Sequence, residues 1–316
     1  MHLALPGAHT IIAALRLRAK GRLKSCHPER SARRARSRGT ATTLLAAIII
    51  AIVACCQCVA AQEIVHFPTL PASSIQLDGY LWKPPTAGPH PAIVLLHGCG
   101  GLLARKTHMP DSRAQQWAKA FNDRGYVALA VDSFTPRGVK SICSPATFDA
   151  RVYDARRYDT YAALAYLQSQ PFVDGARVAV MGWSNGGGTV LRSIGSTAPH
   201  KPPGFVAAVA FYPGSCSVQR LGENWSAQIP LLVLVGAGDV WTPAAPCQDA
   251  LAHSADTQMK IYPDSYHDFD WPNDPVKRLP QFTTSAGVVP IAGENPASRL
   301  DALKIVPEFL AHYLGG

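Results

Sequence analysis

Apolar residues are gathered into six short runs, and helix-like segments lie between them. Several of these runs are continuous rather than alternating, which is typical of strands whose two faces are both buried in a parallel sheet. The runs occupy residues 92–98, 126–134, 177–184, 205–214, 231–239 and 258–267. We therefore expect each run to form a strand of one sheet.

The segments between the runs favour helices. Residues 111–125 end on a glycine, which is common just after a helix. Residues 156–170 place tyrosines and leucines near helical spacing, and residues 295–316 predict a last helix that Pro307 kinks or splits. Residues 73–85 alternate instead and predict an antiparallel strand. Strands that alternate with helices predict an α/β fold with a largely parallel sheet.

Charge is distributed unevenly along the chain. The 316 residues are 47% hydrophobic and 16% charged, a composition typical of a folded globular protein. The formal net charge is +9, yet residues 1–39 hold ten of the 30 lysines and arginines and one of the 21 acids. The rest of the chain is therefore neutral and has no electrostatic reason to bind DNA or RNA. We expect no nucleic-acid partner.

An uncharged stretch, residues 39–62, follows the basic segment. Its apolar centre, residues 44–56, has 13 residues, whereas a membrane-spanning helix needs about 20. A basic flank, a short apolar core and the sequence "VAAQ" predict a signal peptide cleaved after Ala61. The protein would then be periplasmic or secreted.

Two alternatives to cleavage stay open. The whole uncharged stretch has 24 residues and could remain as an anchor. The sequence "IVAC" also resembles a lipobox, in which Cys55 would be lipidated and make the protein a membrane-anchored lipoprotein. Without lipidation we expect no stable membrane partner. The predicted organisation is a leader, residues 1–61, followed by one domain, residues 62–316.

The sequence "GWSNG", residues 182–186, contains the candidate nucleophile. It follows a predicted strand and precedes a predicted helix, which is the context of a nucleophile elbow. A turn this tight needs small residues two positions before and after the serine, which explains Gly182 and Gly186. We predict that Ser184 is an exposed, strained nucleophile.

A serine hydroxyl needs a base, and in this kind of fold the acid and the histidine follow it in that order. Asp239 comes directly after a buried run, and His267 comes just after the next run. Both residues should lie at the same sheet edge as Ser184. Asp239 would orient the imidazole, and His267 would transfer the proton.

The loop "HGCGG", residues 97–101, follows the first buried run and predicts an oxyanion hole. Its glycines let backbone amides approach a substrate oxygen. We expect the amides of Cys99 and Asn185 to be the two donors. No Cys/His cluster in the sequence has zinc-ligand spacing, so we predict no metal and no cofactor.

Further residues are candidates for substrate binding. Arg137 could meet a substrate carboxylate or fix its own loop. Trp183, Trp241 and Tyr266 flank the catalytic candidates and could line a pocket, although buried aromatics are more often core residues. The Pro- and Gly-rich residues 271–296 could form a flap near the site or only connect to the last helix.

Four cysteines follow the predicted leader, and an exported protein can pair them in three ways. Cys216 and Cys247 each follow one of two neighbouring strands, so we expect them to form a disulfide. Cys99 and Cys143 would then form the second.

Taken in order, these motifs resemble the α/β-hydrolase superfamily and, within it, the dienelactone hydrolase-like family. The blocks that carry the resemblance are "HGCGG", "YVALAVDSFTPRG", "GWSNGG", "YPGSC", "GAGDVWTP" and "YPDSYHDFD". The resemblance covers residues 75–315 and implies an α/β-hydrolase fold, with a mostly parallel sheet of eight strands and helices on both faces. It implies the triad roles for Ser184, Asp239 and His267.

Two departures from the family shape the functional prediction. Dienelactone hydrolase proper has a cysteine at the elbow and a glutamate in the oxyanion loop, whereas this chain has Ser184 and "HGCGG". We predict an exported serine hydrolase that cleaves small-molecule carboxylic esters or lactones through an acyl-enzyme. The alternatives are an acyltransferase or peptidase with the same triad, and a non-catalytic binding protein on a hydrolase scaffold.

Overall fold

An eight-stranded sheet organises the chain in the computed structural model, which describes residues 62–71, 75–198 and 204–315. The strands are β1 (Gln62–Pro68), β2 (Gln76–Trp82), β3 (His90–Leu96), β4 (Val127–Asp132), β5 (Val173–Trp183), β6 (Phe205–Phe211), β7 (Leu231–Gly236) and β8 (Thr257–Tyr262). They lie in the order β1-β2-β4-β3-β5-β6-β7-β8. β2 pairs antiparallel with β1 and β4, and every pair from β4 to β8 is parallel. The α/β-hydrolase fold with a mostly parallel sheet is thus confirmed.

Helices cover both faces of this sheet. They are α1 (Ser112–Asn122), α2 (Ala150–Gln168), α3 (Asn185–Ile194), α4 (Val218–Leu221), α5 (Ala244–Leu251) and α6 (Pro296–Leu314). One core packs α2, α3 and α5 against one face, and a second core packs α1 and α6 against the other. Within β3, Ala92, Val94 and Leu96 face the first core, while Ile93 and Leu95 face the second. Burial on both faces is why the runs are continuous in the sequence.

The helix ends follow from local sequence. The Asp111 carboxylate accepts a hydrogen bond from the Ala114 amide at 2.8 Å and so caps α1. α2 begins six residues before the predicted segment, after its capping residue Asp149. α6 continues through Pro307 as one helix, so of the two predicted effects, a kink or a split, the split is wrong. Val306 and Leu310 are fully buried beside Pro307, and their packing holds the helix together.

Some sequence expectations lie outside the described residues, including cleavage after Ala61, lipidation at Cys55 and the leader itself. Among the helices described, none is long and apolar enough to cross a membrane.

Candidate active site

Ser184 lies between the last residue of β5 and the first residue of α3. Its backbone has φ 52° and ψ −115°, a conformation that is strained for a residue with a side chain. A Cβ at Gly182 would overlap the Gly186 backbone, and a Cβ at Gly186 would overlap the Leu96 carbonyl oxygen. The elbow geometry therefore requires both glycines, as the sequence predicts. Ser184 is only 8% exposed, however, so the prediction of an exposed nucleophile is wrong.

Asp239 and His267 form a buried hydrogen-bonded pair. The Asp239 Oδ2 atom lies 2.7 Å from His267 Nδ1, and the two residues are 3% and 1% exposed. Asp239 also accepts hydrogen bonds from the amides of Trp241 and Thr242 at 2.8 and 2.9 Å, and from the Thr242 hydroxyl at 2.8 Å. These bonds fix the carboxylate and thereby the imidazole. Since Nδ1 is engaged, Nε2 is the ring nitrogen left to meet a hydroxyl.

The charge of Asp239 controls the protonation of His267. Burial by itself lowers the pKa of this imidazole, but the Asp239 charge and its hydrogen bond outweigh burial. The net result is a His267 pKa raised above its ordinary value of 6.5. A histidine in this state is a stronger base than a free imidazole once the pH exceeds its pKa.

Two cavities meet at Ser184. The first, which we name the His267 cavity, has about 470 Å³ and is lined by Ser184, His267, Trp271 and Phe282, among others. The second, the Asn185 cavity, has about 710 Å³ and is lined by Ser184 and Asn185, among others. Cys99, Cys143 and Trp241 border both cavities together with Ser184. Ser184 and His267 thus face one common space.

In the described residues, the hydrogen bonds of the His267 ring go to Asp239 and Thr242, and none joins the ring to the Ser184 hydroxyl. Contacts of this kind often form only when a substrate is bound.

The predicted oxyanion donors lie beside Ser184. A Cβ at Gly98 would lie 3.7 Å from the Ser184 Cβ, so the loop of Cys99 runs directly along the serine. Asn185 is the first residue of α3, and the amides of a first helical turn have no partner inside the helix. Both amides therefore belong to segments that adjoin Ser184, and their role as oxyanion donors stays a prediction.

Both predicted disulfides are present. Cys99 pairs with Cys143 at a Cα–Cα distance of 4.9 Å, and Cys216 pairs with Cys247 at 4.7 Å. The Cys99–Cys143 bond borders both cavities and holds the loop that carries the Cys99 amide. The other bond joins the segment after β6 to α5.

Replacing Cys99 and Cys143 together with serine is expected to lower kcat about tenfold, because the oxyanion loop loses its tether. It should also lower the free energy of unfolding by about 2–4 kcal/mol. The matched control replaces Cys216 and Cys247, which should cost similar stability and change kcat less than about twofold. Steady-state kinetics and denaturant titration measure both quantities. Equal losses of kcat in the two variants would contradict the tether.

Arg156, which the sequence pattern did not identify, is a buried cation that contacts both segments carrying the predicted oxyanion amides. Its guanidinium donates to the His97 carbonyl at 2.6 Å and to the Asn185 side-chain oxygen. It therefore joins the loop of Cys99 to the start of α3. Arg156 is 1% exposed, and burial lowers its pKa to about 9. The sequence offers no signal that separates Arg156 from its neighbour Arg157, because both lie in the polar segment "YDARRYDT".

Replacing Arg156 with Met is expected to lower kcat between about 10-fold and 100-fold, with a smaller change in KM. Both oxyanion segments lose their common anchor, and one oxyanion donor is worth about 100-fold or more. Arg156→Lys keeps the charge and should recover part of the loss. The matched control is Arg177→Met. Arg177 lies in β5, away from the end that precedes Ser184, and donates to Asp174 and to the Leu314 carbonyl. Loss of stability with unchanged kcat in Arg156→Met would reduce Arg156 to a structural residue.

The four residues predicted to contact substrate have different surroundings in the structure. Trp241 lines both cavities, and its ring centroid lies 4.8 Å from that of His267. Arg137 makes a bidentate ion pair with buried Asp159, so it fixes its own loop, which was the alternative stated for it. Trp183 is buried and donates to Asp270 beneath the site. Tyr266 packs its ring against Gly238.

Two acids after His267 anchor its loop. Asp268 accepts a hydrogen bond from Arg113 at 2.6 Å, and Asp270 accepts bonds from Trp117 and Trp183. These carboxylates are engaged away from the imidazole Nδ1, which contacts Asp239.

Residues 271–296 also contribute to the site, since Trp271, Phe282 and other members line the His267 cavity. The flap alternative thus describes this segment better than a simple connection.

The fold and the elbow define an α/β hydrolase. The model of the dienelactone hydrolase family matches residues 77–314, and the chain belongs to this family.

Comparisons with individual proteins agree with this fold. The chain is 26% identical over 209 residues to the quorum-quenching protein AidA of Acinetobacter baumannii (strain MDR-ZJ06), a match that covers 62% of this chain and 60% of that relative. Dienelactone hydrolase from Anabaena variabilis ATCC 29413 superimposes with TM-score 0.56 at 19% identity, over 81% of this chain and 99% of that one. A dienelactone hydrolase-like promiscuous phosphotriesterase from metagenomic libraries gives TM-score 0.57 at 21% identity, with the same coverage.

Proposed function

We propose that this protein is a serine hydrolase that cleaves carboxylic esters or lactones through an acyl-enzyme on Ser184. The observation that carries the proposal is the 2.7 Å contact between Asp239 and His267, beside a cavity that His267 and Ser184 both line. Membership of the dienelactone hydrolase family supports a hydrolase that acts on small-molecule esters or lactones.

The first half of the reaction forms the acyl-enzyme. His267 Nε2 takes the proton of the Ser184 hydroxyl while Oγ bonds to the substrate carbonyl carbon, and the carbonyl electrons move onto its oxygen. The amides of Cys99 and Asn185 stabilise that oxyanion, each contributing about 3 kcal/mol. Collapse of the intermediate breaks the ester bond, and the imidazolium protonates the departing alcohol oxygen.

The second half releases the acid. A water molecule gives a proton to His267 and attacks the acyl carbon, and the same two amides stabilise the second oxyanion. The bond to Ser184 then breaks, and the proton returns to Oγ. Asp239 keeps its negative charge throughout and stabilises the imidazolium.

A substrate panel tests the proposal against its alternatives. The panel contains p-nitrophenyl esters, simple lactones, an ester with an added acceptor alcohol, and a peptide anilide. We expect ester or lactone cleavage with release of free acid, dependent on Ser184. Dominant transfer to the alcohol would identify an acyltransferase, faster anilide cleavage a peptidase, and binding without turnover a scaffold protein.

We also propose that the protein is exported to the periplasm or secreted. Two disulfides are typical of an oxidising compartment, and the N-terminal sequence has the features of a leader. N-terminal sequencing of the native protein should find Gln62 as the first residue. A lipidated Cys55 or an intact leader would contradict cleavage after Ala61.

A further inference from the structure

The position of His267 indicates which part of an ester each of the two cavities would hold. This assignment rests on the proposed acyl-enzyme chemistry. His267 lines only the His267 cavity, whereas Asn185 lines only the Asn185 cavity. The imidazolium must reach the departing oxygen, so the alcohol part of an ester lies on the side of His267. The acyl group is bonded to the same carbonyl carbon and extends to the other side of Ser184. The Asn185 cavity is therefore the acyl side.

The two cavities differ in chemistry. At the His267 cavity, Asp274 and Lys277 form an ion pair, and Arg105 adds another charged side chain to the lining. Trp271 and Phe282 add aromatic rings to the same lining. The Asn185 cavity has fewer charged groups, which are Asp154, Arg192 and Arg220, and one of its walls is aromatic and aliphatic, formed by Ile142, Phe148 and Tyr153. Charged groups suit a polar alcohol, while the aromatic wall suits an apolar acyl group.

Phe148 is the most informative residue of this wall. It is 50% exposed and lines the cavity, so part of its ring is open to a ligand. Its ring centroid lies 5.6 Å from that of Tyr153, a spacing typical of interacting aromatic rings. The Arg192 guanidinium lies 3.6 Å from the Tyr153 ring centroid and holds that ring in place.

We propose that the preferred substrate is an ester of an aromatic carboxylic acid, whose ring packs against Phe148 in the Asn185 cavity while its alcohol occupies the His267 cavity. An aromatic acyl group would extend the contact between Phe148 and Tyr153 by a third ring. The cavity volume of about 710 Å³ is ample for such a group. The disulfide between Cys99 and Cys143 would separate the two parts of the substrate.

The test compares kcat/KM for p-nitrophenyl benzoate and p-nitrophenyl acetate, which share one alcohol and differ in the acyl group. Phe148→Ala is expected to lower the benzoate-to-acetate ratio about tenfold, because the aromatic contact is lost. Phe148→Tyr keeps the ring and should retain the ratio of the unaltered protein. The comparison variant is Trp271→Ala, which changes the His267 cavity. It should leave the benzoate-to-acetate ratio unchanged. It should alter the preference between phenyl benzoate and methyl benzoate, which differ in the alcohol.

The outcomes distinguish a failure of the acyl-side assignment from a failure of the proposed function. An unchanged ratio in Phe148→Ala, or a ratio that changes only in Trp271→Ala, would overturn the assignment of the acyl side. If the unaltered protein cleaves neither ester in a Ser184-dependent way, the proposed function itself fails. Thermal unfolding of each variant confirms that a change in ratio comes from a folded protein.

Discussion

Replacing Ser184 with Ala is expected to reduce kcat/KM for esters by about 10⁵-fold to 10⁶-fold, since the covalent route disappears. A small residual activity should persist, because the amides of Cys99 and Asn185 still stabilise an oxyanion. Ser184 lies at φ 52°, and alanine keeps the Cβ that makes this backbone angle strained, so the variant should have a stability close to that of the unaltered protein. Initial-rate kinetics at saturating and limiting ester concentrations measure the loss.

A double variant provides the control for this prediction. In the proposed mechanism Ser184 and His267 act as a unit, so His267→Ala should lower kcat/KM about as much as Ser184→Ala, and the double variant should lose little more. Losses that multiply in the double variant would show that the two residues act separately. An active Ser184→Ala variant would place the nucleophile elsewhere.

Replacing Asp239 with Asn is expected to lower kcat about 10⁴-fold, because the amide no longer holds the imidazole in the tautomer that accepts the serine proton. It should also move the pH profile. In the unaltered protein His267 has a raised pKa, so kcat/KM should fall as the pH drops through a value above 6.5. Without the Asp239 charge, burial lowers the pKa and the acid limb shifts to lower pH.

The pH dependence of kcat/KM measures the direction in which the acid limb shifts. The matched control is Asp264→Asn, at an exposed position with φ 54° that asparagine tolerates. That variant should keep both the rate and the acid limb of the unaltered protein. An acid limb that stays in place in Asp239→Asn would show that another group sets the protonation of the base.

The central strands were predictable because their environment leaves a clear pattern. β3, β4 and β7 are buried along their whole length, which requires continuous apolar sequence. β1 was missed because it is an edge strand with mostly exposed or half-buried residues, so its sequence carries little periodicity. Pro307 does not split α6, because the packing around it outweighs one lost helical hydrogen bond.

The candidate catalytic residues could be predicted because they follow the ends of strands. The elbow, Asp239 and His267 each follow a strand, and parallel strands bring their carboxyl ends to one edge. Arg156 was not predictable in the same way, because its partners lie 59 and 29 residues away and meet it only in the folded chain. The role of Arg137 depended on Asp159, a partner that the sequence does not identify.

Peptide mapping after treatment with a fluorophosphonate tests the central claim most directly, because such a reagent traps a serine activated by a neighbouring base. The account predicts one covalent adduct, on the peptide that contains Ser184, and a strong loss of labelling in His267→Ala. Folded, ester-cleaving protein with no adduct on Ser184, or with its adduct on another residue, would contradict it.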